Sequence, residues 1–185
     1  MTYVIISAVV ILLLAVVAIT QYNGLIRLNN GVSEAFAQIE VQLRRRSDLI
    51  PNLVETVKGY ATHEREALEA VVQARAAATS AQSVHDVAAA DGALTNALRG
   101  LLAVAEAYPD LKASANFSQL QEELAGTENK VSFARQYYND NVRTLNTTVQ
   151  GIPGKFFAGW AKVISREFYE IDDPAARNAP KVDFS

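Results

Sequence analysis

The chain contains no cysteine. That excludes disulfides, thiol nucleophiles and cysteine-based metal centres, and it leaves the redox compartment open. Histidine occurs only twice and tryptophan once, so most nucleophile–base pairs of hydrolytic enzymes are unavailable. Glycine and proline are sparse, at nine and five residues, and aromatics make up 8%. Seventeen basic residues face twenty acidic ones, a net charge of −3. So small a charge gives no footprint for nucleic acid as a partner. What remains is rich in Ala, Leu, Gln, Glu and Arg, a balance that favours an all-helical chain.

Charge is missing altogether from MTYVIISAVVILLLAVVAIT, and the first charged side chain is Arg27. About 20 apolar residues at 1.5 Å each span a hydrocarbon core of about 30 Å. A cleaved signal peptide would need a basic start, a shorter apolar run and a small-residue cleavage site. None of these is present, so an uncleaved membrane helix is expected, meeting the bilayer through residues 2–20. Basic residues follow the span and none precedes it. That bias predicts an outside N-terminus and a cytoplasmic main domain.

Stepping alternately by four and three from Val32 gives Phe36, Ile39, Leu43, Arg46, Ile50, Leu53, Val57 and Tyr60. This is a heptad seam, and its phase is unbroken across Pro51. It predicts one long helix from about Gln21 to Thr79, kinked at the proline and continuing the membrane helix. The rival is a break at Ser47–Asp48, with Pro51 in the first turn of a new helix. A second helix is expected from Ser83 to Tyr108, opened by a Ser83–Asp86 capping box and stopped at Tyr108-Pro109-Asp110. A third runs from Phe117 to Val149 and ends at GIPG, residues 151–154. A fourth is expected from Lys155 to Tyr169, with Phe156, Phe157, Trp160, Val163, Ile164 and Phe168 on its apolar side. The organisation is therefore a transmembrane anchor over 1–22, an antiparallel four-helix bundle over 23–170, and an extended polar tail over 171–185.

Motifs for chemistry are few. His63-Glu64 is half of a zinc-protease helix motif, but position 67 is Ala67 rather than a second histidine. Neither histidine follows a glutamate at the spacing of a di-iron bundle. No phosphate-binding glycine loop and no G-x-S-x-G occur. No cofactor, metal or catalytic residue is expected, and two isolated histidines read as surface residues.

Three consecutive arginines, 44 to 46, suggest lipid phosphate. They start too far past the span for that, so Arg44 and Arg45 read as a solvated face. Arg46 lies on the seam. It either snorkels out of the core edge or pairs with a buried acid; Glu106 sits at a comparable height in an up-down bundle. Asp91 is expected to be exposed near a helix start, where its charge suits the dipole. Phe156, Phe157 and Trp160 could form a partner-binding or membrane-touching face, with core packing as the commoner explanation. The Asn116 and Asn146 sequons carry no meaning in a cytoplasmic domain.

LRRRSDLIPNLVETVKGYATHE, YNGLIRLNN, AEAYPDLKASANFSQLQEELAGTENKVSFARQYYNDNV and the ending PKVDFS together resemble the LemA family of bacterial membrane-anchored proteins. The resemblance covers almost the whole chain, in order. It implies a short external N-terminus, one membrane helix and a cytoplasmic four-helix bundle in a bacterial cell membrane. It also marks Arg46, Asp48, Pro51, Asn52, Glu106, Tyr108 and Pro109 as motif residues. Many members carry tryptophan near SEAFAQIEVQL, where this chain has Ala35 and Phe36, and many are less aromatic than GIPGKFFAGWAKV. The family brings no established activity. One relative is linked to magnetosome membranes, which implies membrane organisation.

The function expected is a non-enzymatic, membrane-anchored scaffold that forms homo-oligomers, with Val182 and Phe184 in the tail as apolar anchors for a neighbouring copy. The alternative is a sensor or adaptor that binds another membrane protein through the bundle surface. An unrecognised hydrolase is a distant third.

Overall fold

The computed structural model describes residues 1–61 and 63–170. The tail residues Val182 and Phe184 therefore lie outside the described residues. The fold is all-α, and no strand occurs among the described residues. Its elements are α1 (Thr2–Tyr60), α2 (Arg65–Ser80), α3 (Val84–Ala105), α4 (Pro109–Lys112), α5 (Ala115–Gln150) and α6 (Gly154–Ala158). The apolar N-terminal part of α1 is long and apolar enough to cross a membrane, and its window is wholly unburied.

The chain divides into two compact units. One comprises Met1–Ile39 and Phe133–Phe168; the other comprises Glu40–Ser132 and the stretch that begins at Tyr169. Both α1 and α5 contribute residues to each.

The core of the second unit joins Ile50, Leu53 and Val57 of α1 to Leu68 and Val71 of α2, Leu94, Leu98 and Leu101 of α3, Leu111 of α4, and Phe117 and Leu124 of α5. Each is at least 92% buried. Burial on that scale gives about 1.5–3 kcal/mol per large side chain, and it is what holds these segments together. Gly31, Phe36, Tyr138 and Asn141 tie α1 to α5 in the first unit. The Phe36 and Tyr138 rings lie 5.7 Å apart, and a Cβ built on Gly31 would stand 3.3 Å from Asn141 Oδ1.

α1 passes through Pro51 without a break, as the unbroken seam predicts. It does not reach Thr79. It stops at Tyr60, and α2 starts at Arg65. The reason is packing: Leu68 and Val71 join the same core as Ile50 and Leu53, which the chain can reach only by turning back. The sequence held a hint, because the seam's next step after Tyr60 lands on Glu64. Ser83 caps α3 as expected. Its Oγ accepts from the Asp86 N–H at 3.0 Å and donates to the Asp86 carboxylate at 2.6 Å. That donation holds the Asp86 carboxyl below its usual value. Pro109 does not simply end a helix; it opens α4 from its first turn, where a missing N–H costs nothing.

The expected fourth helix over Lys155–Tyr169 is not formed. α6 is one short turn. Beyond it the Val163 N–H reaches the Ala158 carbonyl at 3.0 Å and the Lys162 N–H reaches the Gly159 carbonyl at 3.2 Å. Lys162 takes φ 53°. This is a Schellman stop with lysine where glycine is usual, which is why the residue types gave no warning of it. Residues 164–168 then run without helix along α5. The Asn146 side chain takes both main-chain groups of Arg166, accepting from its N–H at 2.8 Å and donating to its carbonyl at 2.9 Å. Tyr138 donates to the Glu167 carbonyl at 2.8 Å. Asn146 is thus a structural bracket that a sequon reading misses. Burial pushes the Tyr138 phenol above its usual value, with Glu167 adding and Arg166 opposing.

Candidate functional site

The polar residues that converge lie inside the second unit. Arg46 is 4% exposed and Asp91 2%. Arg46 Nη1 donates to Asp91 Oδ1 at 2.9 Å and to Thr95 Oγ1 at 3.0 Å. Its Nη2 lies 2.8 Å from Glu128 Oε2, an ion pair without hydrogen-bond alignment. Tyr169 donates its hydroxyl to the second Asp91 oxygen at 3.1 Å. Arg46 Nε is buried without a partner. One guanidinium thus faces two carboxylates, one deeply buried and one, Glu128, partly in solvent.

Two expectations are corrected here. The partner of Arg46 is not Glu106, which is exposed and pairs with Lys112 at 2.5 Å. Asp91 is not an exposed dipole residue. It follows Val87 by four residues and precedes Leu94 by three, so it shares their buried face of α3, and that register, rather than its nearness to the helix start, decided its burial. That spacing, set beside the α1 seam, was the signal for a buried acid opposite a buried arginine.

A second constellation explains how α1 crosses Pro51. Proline has no N–H, so the Ser47 carbonyl one turn back loses its helical partner. Arg75 of α2 donates Nε to that carbonyl at 2.9 Å. Ser47 is buried, and its Oγ has no hydrogen-bond partner. The carbonyl therefore sits where water cannot readily substitute, and a guanidinium takes the proline's place. Beside it opens a half-enclosed cavity of about 320 Å³, lined by Arg44, Ser47, Asp48, Arg75 and Asp91 among others.

Of the remaining motif residues, Asp48 is exposed at that cavity, and Pro51 and Asn52 are exposed on the outer face of α1. Tyr108 is half-buried and donates to Glu64 Oε1 at 3.0 Å, which raises its phenol above the usual value. Pro109 is the first residue of α4, after Tyr108 at its N-cap. The structure brings Arg46 to Asp91, Thr95 and Glu128; it does not bring Glu106, Tyr108 or Pro109 to them. Phe156 and Trp160 are exposed and Phe157 is half-buried, so core packing does not account for this cluster. Ile164 and Phe168 are exposed too, while Val163 is buried. Among the described residues no group of three or more His, Asp or Glu is placed to hold a metal ion.

The family model of the LemA family matches residues 35–184. The chain belongs to the LemA family. That match takes in Arg46, Asp91, Glu128 and the Pro51–Arg75 pair. Relatives are distant. Magnetosome protein MamQ of Magnetospirillum gryphiswaldense is 23% identical over 164 residues, 75% of this chain and 60% of that protein. Protein LemA of Metamycoplasma hominis is 23% identical over 164 residues, 87% of this chain and 72% of that protein. Magnetosome protein MamQ 2 of Paramagnetospirillum magneticum is 22% identical over 183 residues, 82% of this chain and 67% of that protein. The chain thus spans 60% of the length of the first of these LemA-like relatives.

Proposed function

We propose that the protein is a non-enzymatic membrane-anchored scaffold that associates with copies of itself. In this reading residues 1–22 anchor it, 23–170 form the working domain and 171–185 a tail. The N-terminus lies outside and the domain in the cytoplasm of a bacterial cell. The observation that carries the reading is α1. One helix joins an apolar, unburied stretch to the core of a helical unit. In this reading the Arg46–Asp91 pair is spent on joining α1 to α3 and Arg75 on a proline fault, a structural use rather than a catalytic one. Phe133 and Tyr137, one turn apart on α5, are both exposed and supply an apolar face for contact between copies. The resemblance to magnetosome proteins supports a role in membrane organisation by analogy.

The test is the mass of the full chain in detergent and in lipid nanodiscs. A concentration-dependent oligomer that Phe133→Ala weakens is expected. A strict monomer at every concentration would end the scaffold reading.

The cavity beside Ser47 favours a second reading, a sensor or adaptor. Its lining combines Arg44 and Arg75 with the acids Asp48 and Asp91, which suits a small polar ligand that would bias binding to another membrane protein. Crosslinking in cells would then return one dominant heterologous partner, whereas recovery of self-contacts alone would remove this reading.

A further inference from the structure

Within the first unit, α1 and α5 run antiparallel. Tyr138 lies against Phe36, Asn141 comes next to Gly31, and Asn146 is bridged to Asn29 through Arg166, whose Nη2 donates to Asn29 Oδ1 at 3.0 Å. Each step toward the end of α5 meets α1 closer to its apolar run. The elbow after α5 continues this progression, and the Trp160 ring lies 5.3 Å from that of Tyr22, just past the run.

The elbow is built to hold this place. A Cβ on Gly154 would fall 2.0 Å from the Thr148 carbonyl oxygen, so only glycine allows the chain to fold back so closely. The Schellman stop at Lys162 then turns the chain back along α5. The result exposes Ile152 by 81%, Phe156 by 74%, Trp160 by 65% and Ile164 by 71%. The charged residues between 151 and 166 are Lys155, Lys162 and Arg166, all basic.

Large apolar side chains interleaved with lysines, and a tryptophan level with the end of a spanning helix, have the chemistry of the bilayer interface. We propose that residues 151–164 are a second membrane contact, an elbow seated among anionic headgroups beside the end of the apolar helix. This rests on the reading that residues 2–20 cross the bilayer. The occupant is lipid rather than a second copy, because the patch continues the surface of the membrane helix and its charge has one sign.

Trp160 is the sole tryptophan, so its fluorescence reports the elbow directly. The full chain is reconstituted into vesicles of phosphatidylethanolamine and phosphatidylglycerol, with and without phosphatidylcholine brominated near the headgroup. The expected result is flotation with the vesicles, emission cut roughly in half by the brominated lipid, and protection from aqueous iodide, as an interfacial indole should show. Lys155→Glu with Lys162→Glu should weaken the lipid quenching. Moving the tryptophan by Trp160→Phe with Phe156→Trp should preserve it, and Trp160→Phe with Phe133→Trp should abolish it. Flotation with quenching by iodide but not by brominated lipid would overturn the elbow contact and leave the anchor standing. So would protection from both quenchers that varies with protein-to-lipid ratio, which marks a protein occupant. Lipid quenching of a tryptophan at 133 would mean nonspecific lying on the bilayer and would also overturn it. Failure to float would remove the anchor and this contact together.

Discussion

Pro51 and Arg75 give a sharp energetic test, because the structure makes one the remedy for the other. Pro51 withdraws the donor for the Ser47 carbonyl, and Arg75 Nε supplies another at 2.9 Å. A hydrogen bond with a charged donor contributes about 1.5–3 kcal/mol, and a buried acceptor left bare costs about as much. Arg75→Met keeps most of the aliphatic stem but removes the donor. In the natural chain it should therefore cost about 1.5–3 kcal/mol, the upper part only if the half-buried guanidinium is well shielded from solvent. With Pro51→Ala, residue 51 regains its N–H and can bond Ser47 within the helix. Arg75→Met should then cost less than about 1 kcal/mol. The coupling expected is about 1–2 kcal/mol, against the roughly 0.5 kcal/mol within which independent sites add. The assay is urea unfolding of the four variants in mild detergent, followed by helical circular dichroism. Additive costs would refute the reasoning. So would a Pro51→Ala chain in which Arg75 matters as much as before.

Three further outcomes follow from the same structure. Arg46→Met strips a buried Asp91 of its cation and should cost about 3–5 kcal/mol, while Arg46→Met with Asp91→Leu should recover most of it; thermal melting checks both, and equal losses in the two would refute the pairing. Tyr138 has its folded pKa raised, so its contribution is present below about pH 10 and is lost as pH rises through the folded value. Alkaline melting should therefore show a falling limb that Tyr138→Phe flattens, at a cost near neutrality of about 1 kcal/mol for the lost bond to Glu167. Gly154→Ala must displace the elbow, since its Cβ would overlap the Thr148 carbonyl; a loss of about 1–3 kcal/mol and a shifted Trp160 emission are expected, and unchanged emission would refute the close approach.

The heptad seams made much of the second unit legible. They placed Ile50, Leu53 and Val57 in a core, carried α1 through Pro51, and put Arg46 on an inward face, whereas Asp91, expected to be exposed, is buried among Val87, Leu94 and Leu98 on α3. They did not reveal the turn after Tyr60, because a period describes a helix and not which neighbour it must reach. Nor did they identify the partner of Arg46. Height along a bundle picked Glu106, whereas the contact depends on facing, and Asp91 faces inward. The segment after GIPG was misread for another reason. Its apolar spacing suits a helix, but a lysine in a left-handed turn and an asparagine bracketing Arg166 are local hydrogen-bond solutions with no periodic trace. The Arg75–Ser47 bond could have been anticipated in kind, since any proline inside a helix leaves a carbonyl wanting, though not in its donor.

The Phe36–Tyr138 contact also bears on how the protein is made. These partners are about 100 residues apart, so at about 5–20 residues per second a ribosome needs roughly 5–20 s to deliver the second after the first. Through that interval the helix beyond the N-terminal apolar run has emerged, while its buried face, Leu25, Val32 and Ile39, still lacks the C-terminal half of α5. The second unit's helices are all earlier in the chain and can close first. A nascent molecule would therefore carry a helical module that still lacks Tyr169, together with an unfinished stem, and a stop codon anywhere before Tyr138 would leave the stem permanently sticky. Truncation should accordingly be worse tolerated in cells than point substitution on the same face.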